Sequence, residues 1–161
     1  KFIMNEQEAT IGELHFSLRG ADKRDEPFVY ELMHSSLGDF FDRNTEEGWS
    51  RVKFRQGFHP HRVTIIEHEG MPVGFFDFEK VEETAIFHTQ CVSEDYRGRG
   101  LVFLIDRLVM QEAKSLGAKR VRGKIFKDNS FSLALCQRFG YNFFADLPRE
   151  NSYLMEKIIH G

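Results

Sequence analysis

Residues 14–19 alternate apolar and polar side chains, the period-two pattern of a half-buried strand. Asp22 can cap a following helix whose buried face carries Phe28, Val29, Leu32 and Met33. Residues 36–44 hold Gly38 and the Phe40–Phe41 pair and read as a loop or a second short helix. Thr45 is half of a capping signal, because Gly48 stands where a glutamate would complete it, and 46–58 is weakly helical. After His59–Pro60, residues 63–67 read as a strand, 73–79 as its antiparallel partner across a turn over 69–72, and 85–92 as the next strand.

The second half changes period. Leu101, Leu104, Ile105, Leu108, Val109, Ala113 and Leu116 recur at helical spacing, and Gly117 closes that helix. A strand over 120–126 follows, then a helix capped by Asp128, Asn129 and Ser130, running to Arg138 and closed by Gly140. Strands at 141–145 and 152–159 finish the chain. The order predicts an α/β fold: a mixed sheet of about seven strands with one parallel crossover. With no repeat, low-complexity tract or Pro/Gly-rich linker, 14–161 reads as a single domain. Residues 1–13 read as an N-terminal extension or a cloning remnant, with Met4 a candidate natural start.

Composition narrows the function classes. The 161 residues suffice for one domain with a core, and 41% hydrophobic with 29% charged residues is ordinary for a globular protein. A net charge of −3 does not indicate nucleic-acid or membrane binding. No apolar run approaches the roughly 20 residues of a membrane helix, and residues 1–11 lack the apolar core of a secretory signal. Two cysteines, Cys91 and Cys136, build no disulfide scaffold and fit a reducing, cytoplasmic setting. The 17 phenylalanines imply an aromatic-rich core or a wide apolar groove.

Residues 95–102, Asp-Tyr-Arg-Gly-Arg-Gly-Leu-Val, lie between a strand and the long amphipathic helix. Unpaired amides at the positive end of a helix form an anion site, and glycines let the backbone approach the ligand. Phe103 stands where the third glycine of a dinucleotide fingerprint belongs, and the Lys–Ser/Thr pair of a nucleoside-triphosphate loop is absent. The alternative is an ordinary turn with solvated arginines. Charge supports the anion: residues 97–127 hold nine basic against two acidic side chains, whereas residues 1–80 hold ten against fifteen. Such polarity suits an anionic ligand at one end and a cationic substrate at the other.

Residues 92–102 resemble the acyl-CoA motif of the GNAT N-acetyltransferases, Arg or Gln followed by Gly three residues on and by Gly or Ala two later. Residues 129–141 resemble that family's downstream Asn-x-x-Ala-x-x-Leu-Tyr-x-Lys-x-Gly-Phe segment. The resemblance spans about 14–159 and implies a sheet with helices on both faces and acetyl-CoA, or a related acyl-CoA, as co-substrate. It implies backbone amides of Arg97, Gly98, Arg99, Gly100, Leu101 and Val102 on the pyrophosphate. Cys91 and Val92 would pair with the pantetheine arm, the Val92 amide facing the thioester carbonyl. Asn129 would contact pantetheine as well as cap its helix, with Ser132 one turn on. The partners implied are acyl-CoA and an amine acceptor, small molecule or peptide, without nucleic acid or membrane, in a monomer or homodimer.

Three departures bear on the chemistry. Val102 replaces the usual Gly or Ala. Cys136 stands where many members carry the tyrosine that protonates the leaving thiolate, and serves either as that acid or as a small buried residue. Ile86 stands where a glutamate base is common. His88, placed on the same strand face as Ile86 and Gln90, is then the candidate base, or a sheet histidine held for packing. Glu82, Glu83 and Asp77 are its possible relay partners through water. His59, His61 and His68 lack a completing Cys or carboxylate, so no metal site is expected. Phe40, Phe41, Trp49, Phe54 and Phe58, beside Asp39, Asp42, Glu46 and Glu47, form core or an acceptor rim for a cation with an apolar part. The function expected is acetyl transfer to a primary amine by direct attack in a ternary complex. The alternatives are a non-catalytic acyl-CoA-binding or regulatory module and a nucleic-acid-binding domain using the basic stretch from Arg97 to Lys127.

Overall fold

The computed structural model describes residues 7–161. The strands are β1 (Gln7–Ile11), β2 (Leu14–Gly20), β3 (Val63–His68), β4 (Met71–Val81), β5 (Thr84–Val92), β6 (Arg120–Phe126), β7 (Asn142–Leu147) and β8 (Ser152–Ile158). The helices are α1 (Glu26–Asn44), α2 (Arg51–Gly57), α3 (Leu101–Ser115) and α4 (Ser130–Arg138). The eight strands form one sheet in the order β1-β2-β3-β4-β5-β6-β8-β7. All neighbours are antiparallel except β5 and β6, the expected crossover, with α3 as its connection. The mixed α/β sheet is as expected, with one strand more, because Gln7–Ile11 pairs along β2.

Two apolar layers cover the sheet. Phe16, Leu18, Ile66, Phe76, Phe78, Val121 and Met155 pack under Leu104, Ile105 and Val109 of α3. On the other face Val63, Ile65, Phe75 and Cys91 pack under Val29 and Leu32 of α1. The phenylalanines thus divide between both cores. Among the described residues no helix is long and apolar enough to cross a membrane.

Several local expectations change. Residues 36–44 are neither loop nor separate helix but the end of α1, a single 19-residue helix entered through Pro27 in its first turn. Thr45 is the C-terminal cap of α1, its hydroxyl on the Phe41 carbonyl at 2.7 Å, and Ser50 caps α2 by accepting from the Lys53 amide. Met71 and Pro72 belong to β4, the turn being Glu69–Gly70, both with positive φ.

Two irregularities open the sheet where function would sit. The β5–β6 ladder runs only from Thr84↔Arg120 to Ile86↔Arg122. Beyond it β5 continues to Val92 and β6 to Phe126, each paired only on its far side. A β-bulge in the β4–β5 ladder leaves His88 as the extra residue between the pairs Phe78↔Phe87 and Asp77↔Thr89. A bulge increases local twist, which turns β5 away from β6. At the vertex Gly123 lets the strands approach closely, since a Cβ there would stand 3.2 Å from the Phe87 carbonyl oxygen, tighter than ordinary contact.

Candidate active site

The gap between β5 and β6 is a cavity of about 290 Å³. Phe87, His88, Thr89 and Gln90 form one wall, Gly123 to Phe126 the other, and Asn129, the cap of α4, with Ser132 and Cys136 of that helix contribute the end. The C-terminal turn of α1 closes the top. Phe40 and Phe41 pack on Phe126 at 6.3 and 5.2 Å between ring centres. Arg43 and Asn44 hold Asp128 at 3.0 and 2.9 Å, and Asn44 also accepts from Asn151.

The edge of β5 facing this gap is unpaired in a way the ladder defines. Ser93 N–H donates to the Val73 carbonyl at 2.8 Å, so the pair beside it, Val92↔Gly74, is of the non-hydrogen-bonded kind, as is Gln90↔Phe76. The backbone groups of Gln90 and Val92 therefore point away from β4, toward the edge that β6 has left. Arg97 uses one of them, its Nε donating to the Val92 carbonyl at 3.0 Å while Nη2 reaches the Ser36 hydroxyl. Neither Cys91 nor Val92 lines the cavity; both are buried just beyond it, and burial pushes the Cys91 thiol up to about 12.

The glycine turn leads on from there. Gly98 and Gly100 have φ of +74° and +87°, in the left-handed region, and Gly100 is the N-terminal cap of α3. The Arg97 amide donates to the Glu94 carbonyl at 3.2 Å, so it is committed to the preceding 3₁₀ turn. The first amides of α3, from Leu101 and Val102 on, have no partner within the helix. Arg99 lies over the Tyr96 ring at 5.5 Å. Asn129 caps α4 by accepting from the Ser132 amide at 3.2 Å.

The bulge corrects the expected grouping on β5. Ala85 and Phe87 pack toward α3, but Cys91 packs toward α1, which unbroken alternation forbids. Gln90, opposite Phe76, is therefore on the α3 face, while Ile86 and His88 are on the α1 face. His88 Nε2 is 2.7 Å from Glu79 Oε2. Glu79 lies directly across from Ile86, so a carboxylate reaches the site from the neighbouring strand.

Arg62 completes the network, reaching Glu79 at 2.8 Å and both oxygens of Asp77 at 3.0 and 2.9 Å. Burial pushes the Glu79 carboxyl up, but the His88 hydrogen bond and the Arg62 charge outweigh it and hold it below the ordinary range. For the more deeply buried Asp77 desolvation outweighs Arg62, and its carboxyl is raised. Glu82 and Glu83 form the β4–β5 turn, where Glu83 pairs with Lys119 at 3.0 Å, and neither lines the cavity. Glu79 was the carboxylate to find: a two-residue turn at 82–83 places residues 79 and 86 opposite, but Glu-Glu is no turn signature.

Cys136 faces Asp106 and Tyr141, which also line the cavity. Burial, then the Asp106 charge, pushes its thiol up to about 12. A second cavity, of about 390 Å³, opens on the α1 side and shares Met33, Phe41, His88 and Thr89 with the first. The two chambers meet at the bulge.

The histidines near the turns stay apart: His68 Nδ1 is 2.9 Å from the His15 carbonyl oxygen, while His59 and His61 sit beyond α2. Among the described residues no group of three or more His, Cys, Asp or Glu could hold a metal.

Solved structures with this fold include Ard1 from Thermoplasma volcanium, 18% identical over 91% of this chain and 99% of that one, TM-score 0.71. The ribosomal-protein-S18-alanine N-acetyltransferase from Escherichia coli is 17% identical over 89% and 94%, TM-score 0.68. PaiA N-acetyltransferase from Thermoplasma acidophilum, in complex with coenzyme A, is 12% identical over 89% and 98%, TM-score 0.70. No curated protein matches by sequence. The model of the acetyltransferase (GNAT) family matches residues 27–141, most of the region that builds both chambers and the glycine turn, and the chain belongs to that family.

Proposed function

We propose that the protein transfers an acetyl group from acetyl-CoA to a primary amine, with both substrates bound at once. The observation that carries this reading is the meeting of two chambers at one titratable residue, His88. The β5–β6 gap suits the acyl-pantetheine arm, since the outward backbone groups of Gln90 and the Val92 amide offer an added strand its partners. The Val92 amide suits the thioester oxygen, where a fixed donor stabilises developing negative charge. The turn from Gly98 to Val102 suits the pyrophosphate, and Asn129 and Ser132 flank the arm.

The amine enters from the second chamber. His88 accepts the ammonium proton, directly or through water, and Glu79 orients the imidazole through Nε2 and stabilises the cation it becomes. Arg62 holds both carboxylates, so the base is oriented by a fixed network. A thiol pushed up to about 12 is a weaker acid than the coenzyme thiol, which favours packing over proton donation for Cys136. Its two free cysteines fit a reducing, cytoplasmic setting.

The second reading is a non-catalytic acyl-CoA-binding module, favoured by the absence of a competent acid at Cys136. Amine-dependent release of coenzyme thiol from acetyl-CoA separates the two. Coenzyme binding without release for any amine would leave the binding module.

A further inference from the structure

The second chamber is walled by rings. Trp49, Phe54, Phe58 and Phe41 line it together with Met33 and Val29. Their positions are fixed independently of any ligand. Trp49 Nε1 donates to the Tyr30 hydroxyl at 3.1 Å, its ring stacks on His34 at 5.1 Å and 5°, and Phe54 stacks on Phe58 at 5.7 Å. A preformed aromatic wall spends little entropy on binding a flat apolar body.

The charge pattern is equally specific, and it differs from the acidic rim expected from sequence. Asp42 accepts the Trp49 amide at 2.8 Å and Glu47 pairs with Lys53 at 3.0 Å, and none of Asp39, Asp42, Glu46 and Glu47 lines the chamber. Among the described lining residues Asp77 is the single carboxylate, and Arg62 already holds both its oxygens. Lys53, Arg62 and His59 line the same chamber. A polyamine or aminoglycoside needs a row of uncompensated carboxylates, and this lining offers none, since its one carboxylate, Asp77, is held by Arg62 through both oxygens. An α-carboxylate would meet Asp77, with Arg62 engaged by Asp77 and Glu79 and Lys53 by Glu47.

We propose that the acceptor is an arylalkylamine: one ammonium at the His88 end of the chamber, on a short linker to an aromatic body packed against Trp49, Phe54 and Phe58. This rests on the second chamber being the acceptor side of an acyl-CoA-dependent enzyme. Its volume of about 390 Å³ is in the range of small-ligand sites.

Trp49 is the protein's single tryptophan, so its emission reports this wall alone. The experiment titrates the full chain with phenethylamine, n-butylamine and spermidine, with and without coenzyme A, and measures acetylation of each amine in parallel. Phenethylamine is expected to change Trp49 emission saturably, with kcat/KM at least tenfold above n-butylamine and spermidine. Phe58→Ala is expected to raise KM for phenethylamine about tenfold and for n-butylamine by no more than about threefold, a split that mere loosening of the fold does not produce; Phe58→Leu serves if the alanine variant unfolds. Equal rates for phenethylamine and n-butylamine, preference for spermidine, or no saturable emission change would overturn the proposal. Coenzyme A protection against heat is read on the same samples. Its absence sinks the acyl-CoA reading, while the emission titration still decides the occupant of the chamber.

Discussion

In the proposed reading His88 is the residue on which the chemistry turns, and its partners define what its loss should do. Removal of a positioned base typically lowers rates by about 10²–10⁴-fold. His88→Ala should lower kcat about 10²-fold with the Kd for coenzyme A unchanged, read by steady-state kinetics and calorimetry. Glu79→Gln keeps the shape but removes the charge that stabilises the imidazolium, and should cost about tenfold in kcat. Equal loss of coenzyme binding in either variant would show a structural role. Cys136→Ala should leave kcat within about threefold, because a buried thiol pushed up to about 12 holds its proton more tightly than the leaving coenzyme thiolate would. A loss near 10²-fold in that variant would restore Cys136 as the acid.

At the scale of elements, the glycine turn and the bulge carry the design. Gly100 has a φ of +87°, which costs any other residue about 1–2 kcal/mol, and relaxing it would turn the first amides of α3 aside. Gly100→Ala should therefore weaken coenzyme A binding at least tenfold by calorimetry while thermal stability falls only slightly; unchanged affinity would remove the turn from the binding site. The turn was legible because glycines between a strand and an amphipathic helix leave a local signature. So were α3, β6 and α4, whose periods are set by one buried face each. The His88 bulge was not, since one extra residue breaks the alternation without marking itself in composition, and unbroken alternation puts Gln90 on the opposite face. Glu79 was hidden for the related reason that cross-strand register depends on the length of a turn. The single long α1 was obscured by Gly38, which sits buried against His34, where a Cβ would come within 2.6 Å of the ring.

Across the whole molecule, the sheet is stabilised by two apolar layers and strained by the carboxyl groups buried near the cavities. Asp106 on α3 is buried, and desolvation raises its carboxyl despite opposing contributions from Lys157 and the Tyr141 hydroxyl at 3.5 Å. In the unfolded chain this aspartate loses its proton first, so folded stability declines as pH rises from about 4 toward the raised native value. Asp106→Asn should match the parent below that window and exceed its Tm by a few degrees above it, in thermal melts across pH. A variant less stable at neutral pH would show that the ionised group is held by partners that outweigh its burial. In the proposed reading the glycine turn at 98–102 receives the anionic coenzyme and the chamber at His88 the amine, while Lys119, Arg122, Lys124 and Lys127 of the basic stretch are paired with acidic side chains. The most direct test of that account is thiol release from acetyl-CoA by the purified protein, followed with and without phenethylamine and then across peptide, polyamine, aminoglycoside and amino-acid amines. The account predicts release that depends on an amine and falls about 10²-fold in His88→Ala. Coenzyme binding with no release for any amine would contradict it.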